Sequence, residues 1–207
     1  MNKNRVEAFS DGVFAIVITL LILDIKLPHD IPYSDLGAAL LAVVPKLQSY
    51  VLSFFIIGLY WAFHHAYMDR MKQVNGTIII FNTVALLVIS FMPFPTSLLG
   101  EFPNTAIPLV IYGLTLIASN LIGFGILLYL NAHPFLLKDG VHTPNFLRQH
   151  YLEYVWVNTS YIIAIVLAFY LPVASYVIFI VVLIGVGFSL WKNMNHAARS
   201  GTVFRSK

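Results

Sequence analysis

Few side chains of this 207-residue chain are charged, and a compact polar group lies at the start of its first apolar stretch. Arg5, Glu7, Ser10 and Asp11 precede or enter an aliphatic run that continues to Leu27. A carboxylate at the edge of an apolar medium costs several kcal/mol unless a partner compensates it. We therefore expect Asp11 to face other helices and to be held there by hydrogen bonds.

A second polar group ends the next apolar stretch, where Trp61, His64 and His65 lie close together, and Asn82 lies in the third stretch. Adjacent histidines suggest a metal ligand pair, but on a helix they point about 100° apart and do not bind one ion with ideal geometry. The pattern favours hydrogen bonds from these side chains to Ser10 or Asp11. We expect neither a metal ion nor a cofactor.

The distribution of ionisable residues separates three classes of membrane function. An enzyme needs an acid, base or nucleophile at the reacting atoms, and only His64, His65 and Asp69, near one surface, qualify. A carrier usually places ionisable residues near the middle of its spans, and these spans have none there. A channel needs only a continuous path. This distribution therefore argues against an enzyme and against a carrier and favours a channel, but by itself it identifies only a membrane protein with several spans.

The composition is that of an integral membrane protein. Hydrophobic residues make up 59% of the chain, charged residues only 10%, and the mean hydropathy is +0.82. Soluble domains have roughly a quarter of their residues charged. The net charge of +3 does not point to nucleic acid, because basic residues accumulate in cytoplasmic loops of membrane proteins.

Apolar stretches and polar loops predict an all-α fold with six transmembrane helices in one domain, residues 1–207. Pro45 and its polar neighbours mark the entry of the second span, so that residues 36–44 lie at the outer interface. The predicted spans cover residues 7–27, 47–67, 77–98, 107–130, 151–170 and 173–191.

The distribution of lysine and arginine predicts the orientation. Only Lys26 and Lys46 of the 12 basic residues fall on the side opposite the amino terminus. Both termini are then cytoplasmic, and the protein is a multi-pass protein of the cell membrane, with the bacterial inner membrane as the expected location.

The first span carries an aliphatic stripe when its residues are placed at 100° steps on a helix. Thr19 lies at the margin of this stripe, and Asp11 lies about 140° from Ile16. A helix that simply faces lipid, or that packs on other helices, is the alternative interpretation. The aliphatic stripe consists of Phe9, Gly12, Val13, Ile16, Leu20, Leu23 and Leu27.

The segment Arg5-x-x-x-Phe9-Ser10-Asp11, followed by a long aliphatic span, resembles the signature of the endolysosomal potassium channel family and its bacterial homologues. Trp61-x-x-His64-His65 resembles the family more loosely. The resemblance implies a homotetramer of six-helix subunits whose first helices line the pore, with Arg5, Phe9, Ser10 and Asp11 at its inner mouth. An ordinary ion network at the membrane interface is the alternative role for Arg5 and Asp11.

The resemblance also implies the function. It implies a potassium-selective or potassium-preferring channel whose partners are potassium ions, the lipid bilayer and further copies of the chain. Ile16, Leu20 and Leu23 match positions that constrict the pore, and Thr19 matches a hydroxyl-bearing position that assists selectivity. The chain has no Thr-Val-Gly-Tyr-Gly filter and no arginine-rich voltage sensor. A proton-permeable or ion-coupled transporter of the same fold is the alternative.

Overall fold

The computed structural model describes residues 2–27, 30–141 and 146–199, which form a bundle of helices. Residues 200–207, the basic end of the predicted cytoplasmic tail, lie outside the described residues. The helices are α1 (Lys3–Leu20), α2 (Leu36–Arg70), α3 (Gly76–Phe91), α4 (Pro93–Glu101), α5 (Ala106–Ala132), α6 (Phe146–Leu167) and α7 (Pro172–Arg199).

Five helical segments of the described chain are long and apolar enough to cross a membrane. These are α1 with the turn that follows it, α2, α3 together with α4, α5 and α7. The fifth predicted span, residues 151–170, corresponds to the shorter apolar segment Tyr151–Leu167 of α6. The predicted all-α architecture of apolar segments is confirmed.

Helix α1 ends earlier than the predicted boundary at residue 27. It continues from Leu21 to Asp24 as a 3₁₀ turn, and the chain leaves helical conformation at Ile25. Pro28 follows in the sequence, and a proline disfavours helical conformation in the residue before it and cannot donate a backbone hydrogen bond. Leu27 therefore does not extend the aliphatic stripe as a helical residue.

Helix α2 runs through Pro45 without a break. Its 35 residues correspond to about 52 Å, which exceeds the roughly 30 Å of a bilayer core. The predicted entry of the second span at Pro45 thus lies within one continuous helix, which joins residues 36–44 to residues 47–67. The outer part of α2 packs closely on α4, where the Nζ of Lys46 lies 2.6 Å from the Oε2 of Glu101.

The predicted span 77–98 is two helices that meet at Met92. Pro93 and Pro95 supply no backbone N–H for the carbonyls of Ile89 and Phe91, so the helix cannot continue unchanged. Thr96 of α4 is buried in the core, where its hydroxyl donates to Ser53 at 2.7 Å. Ser53 in turn shares a 2.9 Å hydrogen bond with the hydroxyl of Tyr112.

Helix α5 occupies the centre of the bundle and contacts α3, α4, α6 and α7. Gly113 allows its close approach to α6, because a Cβ at this position would lie only 2.7 Å from Cγ1 of Ile165. Tyr112, beside this glycine, packs edge-on against Phe179 of α7 at a centroid distance of 5.4 Å. These contacts join α5 to α6 and α7.

Hydrogen bonds and an ion pair join the loops at the end of the bundle that holds Arg70. The backbone N–H of Lys72 donates to Leu136 at 2.9 Å, and that of Lys138 donates to Arg70 at 2.9 Å. The Nζ of Lys138 also lies 2.8 Å from Oδ1 of Asp69. The carboxyl end of α2, which carries the two histidines, is thereby fixed to the segment after α5.

Candidate functional site

Helix α1 has two different faces. Val6, Ser10, Phe14 and Val17 are buried against the rest of the subunit. Ile16, on the other side, is 59% exposed. No contact among the described residues covers this aliphatic face, so on a membrane helix it is available to lipid or to another protein chain. The exposed members of the aliphatic stripe include Phe9, Gly12, Ile16, Leu20 and Leu23.

The end of α1 changes the spacing within the stripe. Leu23 lies in the 3₁₀ turn, and side chains three residues apart in such a turn eclipse each other along the axis. Leu20 and Leu23 therefore lie one above the other, about 6 Å apart along the axis. Ile16 lies one α-helical turn, about 6 Å, below Leu20.

Thr19 is exposed beside the stripe, and its hydroxyl already has an acceptor. Its Oγ1 donates to the carbonyl oxygen of Ile16 at 2.8 Å, with the carbonyl of Ala15 at 3.1 Å. A hydroxyl has one donor hydrogen and two acceptor lone pairs. The hydroxyl oxygen of Thr19 is therefore left as an acceptor, which suits a cation better than an anion.

A buried hydrogen-bond network joins α1, α2 and α3, and we call it the inner polar network. Asn82 donates through Nδ2 to Oγ of Ser10 at 3.0 Å, and its Oδ1 lies 2.9 Å from Nε2 of His64. Ser10 donates to the carbonyl of Val6 at 2.9 Å. Tyr67 adds a longer contact of 3.4 Å to Oδ1 of Asn82. The inner polar network comprises Ser10, His64, Tyr67 and Asn82.

The contact with Asn82 determines that Nε2 of His64 carries a hydrogen. An amide oxygen only accepts, so Nε2 of His64 carries the hydrogen that points to Asn82 in the assigned amide orientation. Ser10, His64 and Asn82 are all buried, which makes each unmade hydrogen bond costly. The network therefore fixes the rotation of α1 about its axis and, with it, the direction of the aliphatic stripe.

Asp11 has a separate partner at the surface of the subunit. The indole Nε1 of Trp61 donates to Oδ1 of Asp11 at 2.9 Å, and His65 stacks on Trp61 with ring centroids 5.8 Å apart. His64 and His65 thus lie in different environments, one buried and the other exposed. Arg5 is exposed near the amino terminus.

The structure thus brings Ser10, His64 and Asn82 into one contact set and Asp11, Trp61 and His65 into another. Sequence reasoning missed two polar groups. One is the Ser53–Thr96–Tyr112 cluster, and the other is Tyr60 of α2, whose hydroxyl donates to the carbonyl of Leu116 at 3.1 Å. Polar residues inside apolar stretches were the available signal, but spacing alone does not pair residues from different helices.

Comparison with known proteins identifies the family. The model of the endosomal/lysosomal potassium channel TMEM175 family matches residues 5–93, the segment that holds α1 to α3 and both contact sets. A potassium channel of Chryseobacterium sp. (strain P1-3) is 32% identical over 175 residues, which cover 83% of this chain and 85% of that relative. The chain belongs to the TMEM175 family. The predicted family is confirmed, as is a multi-pass membrane protein built from an ion-channel fold.

A solved structure and a longer relative extend the comparison. The crystal structure of a lysosomal potassium-selective TMEM175 homologue from Chamaesiphon minutus superposes with a TM-score of 0.78 at 26% identity, covering 91% of this chain and 97% of the other. The endosomal/lysosomal proton channel TMEM175 of Danio rerio is 27% identical over 189 residues. That alignment covers 88% of this chain but only 36% of the longer relative.

Proposed function

We propose that this TMEM175 family member is one subunit of a homotetrameric potassium channel in the cell membrane, in which α1 of each subunit lines the pore. The single observation that carries the proposal is the exposed aliphatic stripe of α1, held in a fixed direction by buried hydrogen bonds on the opposite face. The bacterial relative and the superposed structure, both named as potassium channels, support the ion.

The geometry of one chain calls for several copies, and the number four is carried over from the family resemblance. The chain provides one helix with this stripe, and one helix cannot enclose a path. Closed cyclic symmetry is the usual solution for identical subunits. In such a ring Ile16, Leu20 and Leu23 form three apolar constrictions spaced about 6 Å apart.

Selectivity in this proposal comes from dehydration. Isoleucine and leucine side chains offer no oxygen to replace the water around an ion, so passage demands partial dehydration without compensation. Sodium holds its water more tightly than potassium and is penalised more. The acceptor oxygen of Thr19, at the margin of the stripe, offsets part of this cost. The same apolar rings close the path when water leaves them.

The two contact sets act as the support of the inner mouth. The inner polar network positions α1 from behind, while Trp61 holds Asp11 away from the pore axis. Arg5 and Phe9, both exposed, lie at the entrance on the side of the stripe. Both termini are cytoplasmic, and residues 1–207 act as one channel domain, in keeping with the basic residues at the end of the bundle that holds Arg70 and Lys138.

Proton permeation is the second candidate, favoured by the 27% identity to a relative named as a proton channel. A pathway for protons requires a continuous chain of water or hydrogen-bonding groups. The three apolar rings interrupt such a chain unless they are wetted. A pH gradient imposed without a potassium gradient separates the two: proton current then appears only if protons pass.

The absence of cysteine from the chain offers a direct test. We expect channels with Ile16→Cys, reconstituted in planar bilayers, to lose most of their potassium current when a charged thiol-specific methanethiosulfonate reagent is added. The reason is that the modified side chain carries a bulky charge in the narrowest part of the pore.

Ile22→Cys is the matched control, because Ile22 is also exposed but lies roughly 100° away from the stripe. Its current should survive the same reagent, although mass spectrometry shows the thiol to be modified. Equal block of both variants, or block of Ile22→Cys alone, would place the path on another face of α1.

A further inference from the structure

The subunit contains a large cavity that the proposed pore does not use. It has a volume of about 570 Å³ and lies between α2 on one side and α5, α6 and α7 on the other. Well-packed interiors leave few voids larger than a water molecule, whereas sites for small molecules fall in the range of several hundred cubic ångströms. The cavity therefore has the size of a ligand site.

The cavity extends along much of α2. Its lining on this helix runs from Ile56 to Arg70, 14 residues apart, or about 21 Å. Apolar side chains line most of this length, among them Leu127, Val157 and Leu183.

Several polar side chains of the lining are hydrogen-bonded within the protein, whereas Nδ2 of Asn120 is buried there without a partner among the described residues. Tyr60 donates to the carbonyl of Leu116, His64 is bonded to Asn82, and Ser119 donates to the carbonyl of Thr115 at 3.0 Å. Arg70, Glu153 and Asn195 lie together at the end of the cavity where α2 finishes. The rest of the middle section is lined mainly by apolar side chains and therefore favours an apolar occupant.

An open apolar groove lies beside the cavity on the surface of the chain. This groove, about 380 Å³, lies between α2 and α7 and shares Leu59 and Leu183 with the cavity. Gly58 and Gly187 form part of it, and a Cβ at Gly58 would meet nothing within 4 Å. A hydrocarbon chain in the surrounding bilayer therefore has an apolar route between α2 and α7.

We propose that the cavity binds one acyl chain of a bilayer phospholipid, which enters from the groove between Leu59 and Leu183. The phospholipid is the occupant because the groove supplies room outside the cavity for the second chain, which a single-chain amphiphile does not need. The bound chain braces the inner half of α2 and touches Phe14 of α1. This goes beyond the proposed pore and does not depend on it.

The test fills the cavity and measures retained lipid. Ala66 lines the cavity, so Ala66→Phe should obstruct the chain. The purified protein is incubated with detergent micelles containing 1-palmitoyl-2-oleoyl phosphatidylcholine and examined by native mass spectrometry. We expect the parent to retain one phospholipid per chain, and Ala66→Phe to retain about tenfold less or lower at the same lipid concentration. Ala42→Phe, an exposed site of the same helix outside the cavity, should match the parent.

A second pair of variants guards against misfolding of Ala66→Phe. Gly58→Leu narrows the groove, whereas Gly37→Leu, equally open and also on α2, does not touch it. Only Gly58→Leu should reduce retention. Equal retention by Gly58→Leu and Gly37→Leu, no lipid on the parent, or an adduct with the mass of a free fatty acid or of a second subunit in place of phospholipid would overturn the proposal.

The position of the chain is checked by crystals grown with phosphatidylcholine that carries bromine in the middle of one acyl chain. Anomalous scattering should place bromine inside the cavity, beside Tyr60 and Leu127. Bromine found only on the outer surface would contradict binding within the subunit.

Discussion

Removing the amide of Asn82 should destabilise the protein by an amount that its contacts allow us to estimate. Asn82→Leu keeps the size of the side chain but removes the acceptor of His64 and the donor to Ser10. A buried polar group left unsatisfied costs about 1–3 kcal/mol. His64 bears this cost in full, whereas Ser10 keeps its bond to the carbonyl of Val6. We therefore expect a loss of about 2–4 kcal/mol.

Thermal unfolding in detergent, followed by circular dichroism, measures this loss. At about 2–4 °C per kcal/mol for a chain of this length, Tm should fall by about 4–16 °C. His64→Leu combined with Asn82→Leu should cost less than the sum of the single changes, since removing both partners leaves no orphaned group. An Asn82→Leu protein that melts within about 2 °C of the parent, or strictly additive single changes, would refute the role given to the inner polar network.

Asn158 provides the matched control for this substitution. Its Nδ2 donates to the carbonyl of Tyr154 in its own helix, at 2.7 Å, and its Oδ1 is buried without a partner among the described residues. Asn158→Leu removes an unsatisfied oxygen and breaks no contact between helices. We expect its Tm to equal or exceed that of the parent.

Further substitutions test three separate contacts. Gly100→Ala should lower Tm, because its Cβ would lie 2.8 Å from the backbone Cα of Lys46, whereas Gly37→Ala, in open space, should be neutral or stabilising. Asp11→Ala should reduce the yield of assembled protein in size-exclusion chromatography, while Asp11→Asn, which keeps an acceptor for the indole of Trp61, should assemble and retain the parent's ion preference. Lys138→Met should change stability by about 1 kcal/mol or less in chemical unfolding, since its ion pair is exposed.

The all-α class was predictable because an apolar medium leaves helices as the simplest way to satisfy backbone hydrogen bonds over many consecutive apolar residues. The polar residues inside apolar stretches also stood out, since Ser10, Asp11, His64 and Asn82 each require a partner. Sequence named these side chains as candidates, but it did not determine that Asn82 bridges Ser10 and His64 or that Asp11 pairs with Trp61.

Other features depend on packing that local sequence does not encode. Pro45 suggested a boundary, yet neighbouring contacts with α4 support a continuous helix there. At Pro93, by contrast, one helix ends and the next begins, because Pro93 and Pro95 both lack the backbone N–H that a continuous helix needs. The cavity beside Tyr60 arises from the spacing of α2 relative to α5 and α6, and periodicity within one helix contains no information on that spacing.

The reversal potential of reconstituted channels between potassium chloride on one side and sodium chloride on the other tests the central claim, that the aliphatic stripe of α1 forms a dehydrating pore. The account predicts a reversal potential displaced toward the potassium equilibrium value in the parent. It also predicts a shift toward zero, with larger current, in Ile16→Asn and Leu23→Ser, whose polar side chains replace water around sodium. A parent value of zero, or unchanged currents and reversal potentials in both variants at normal expression, would contradict the claim.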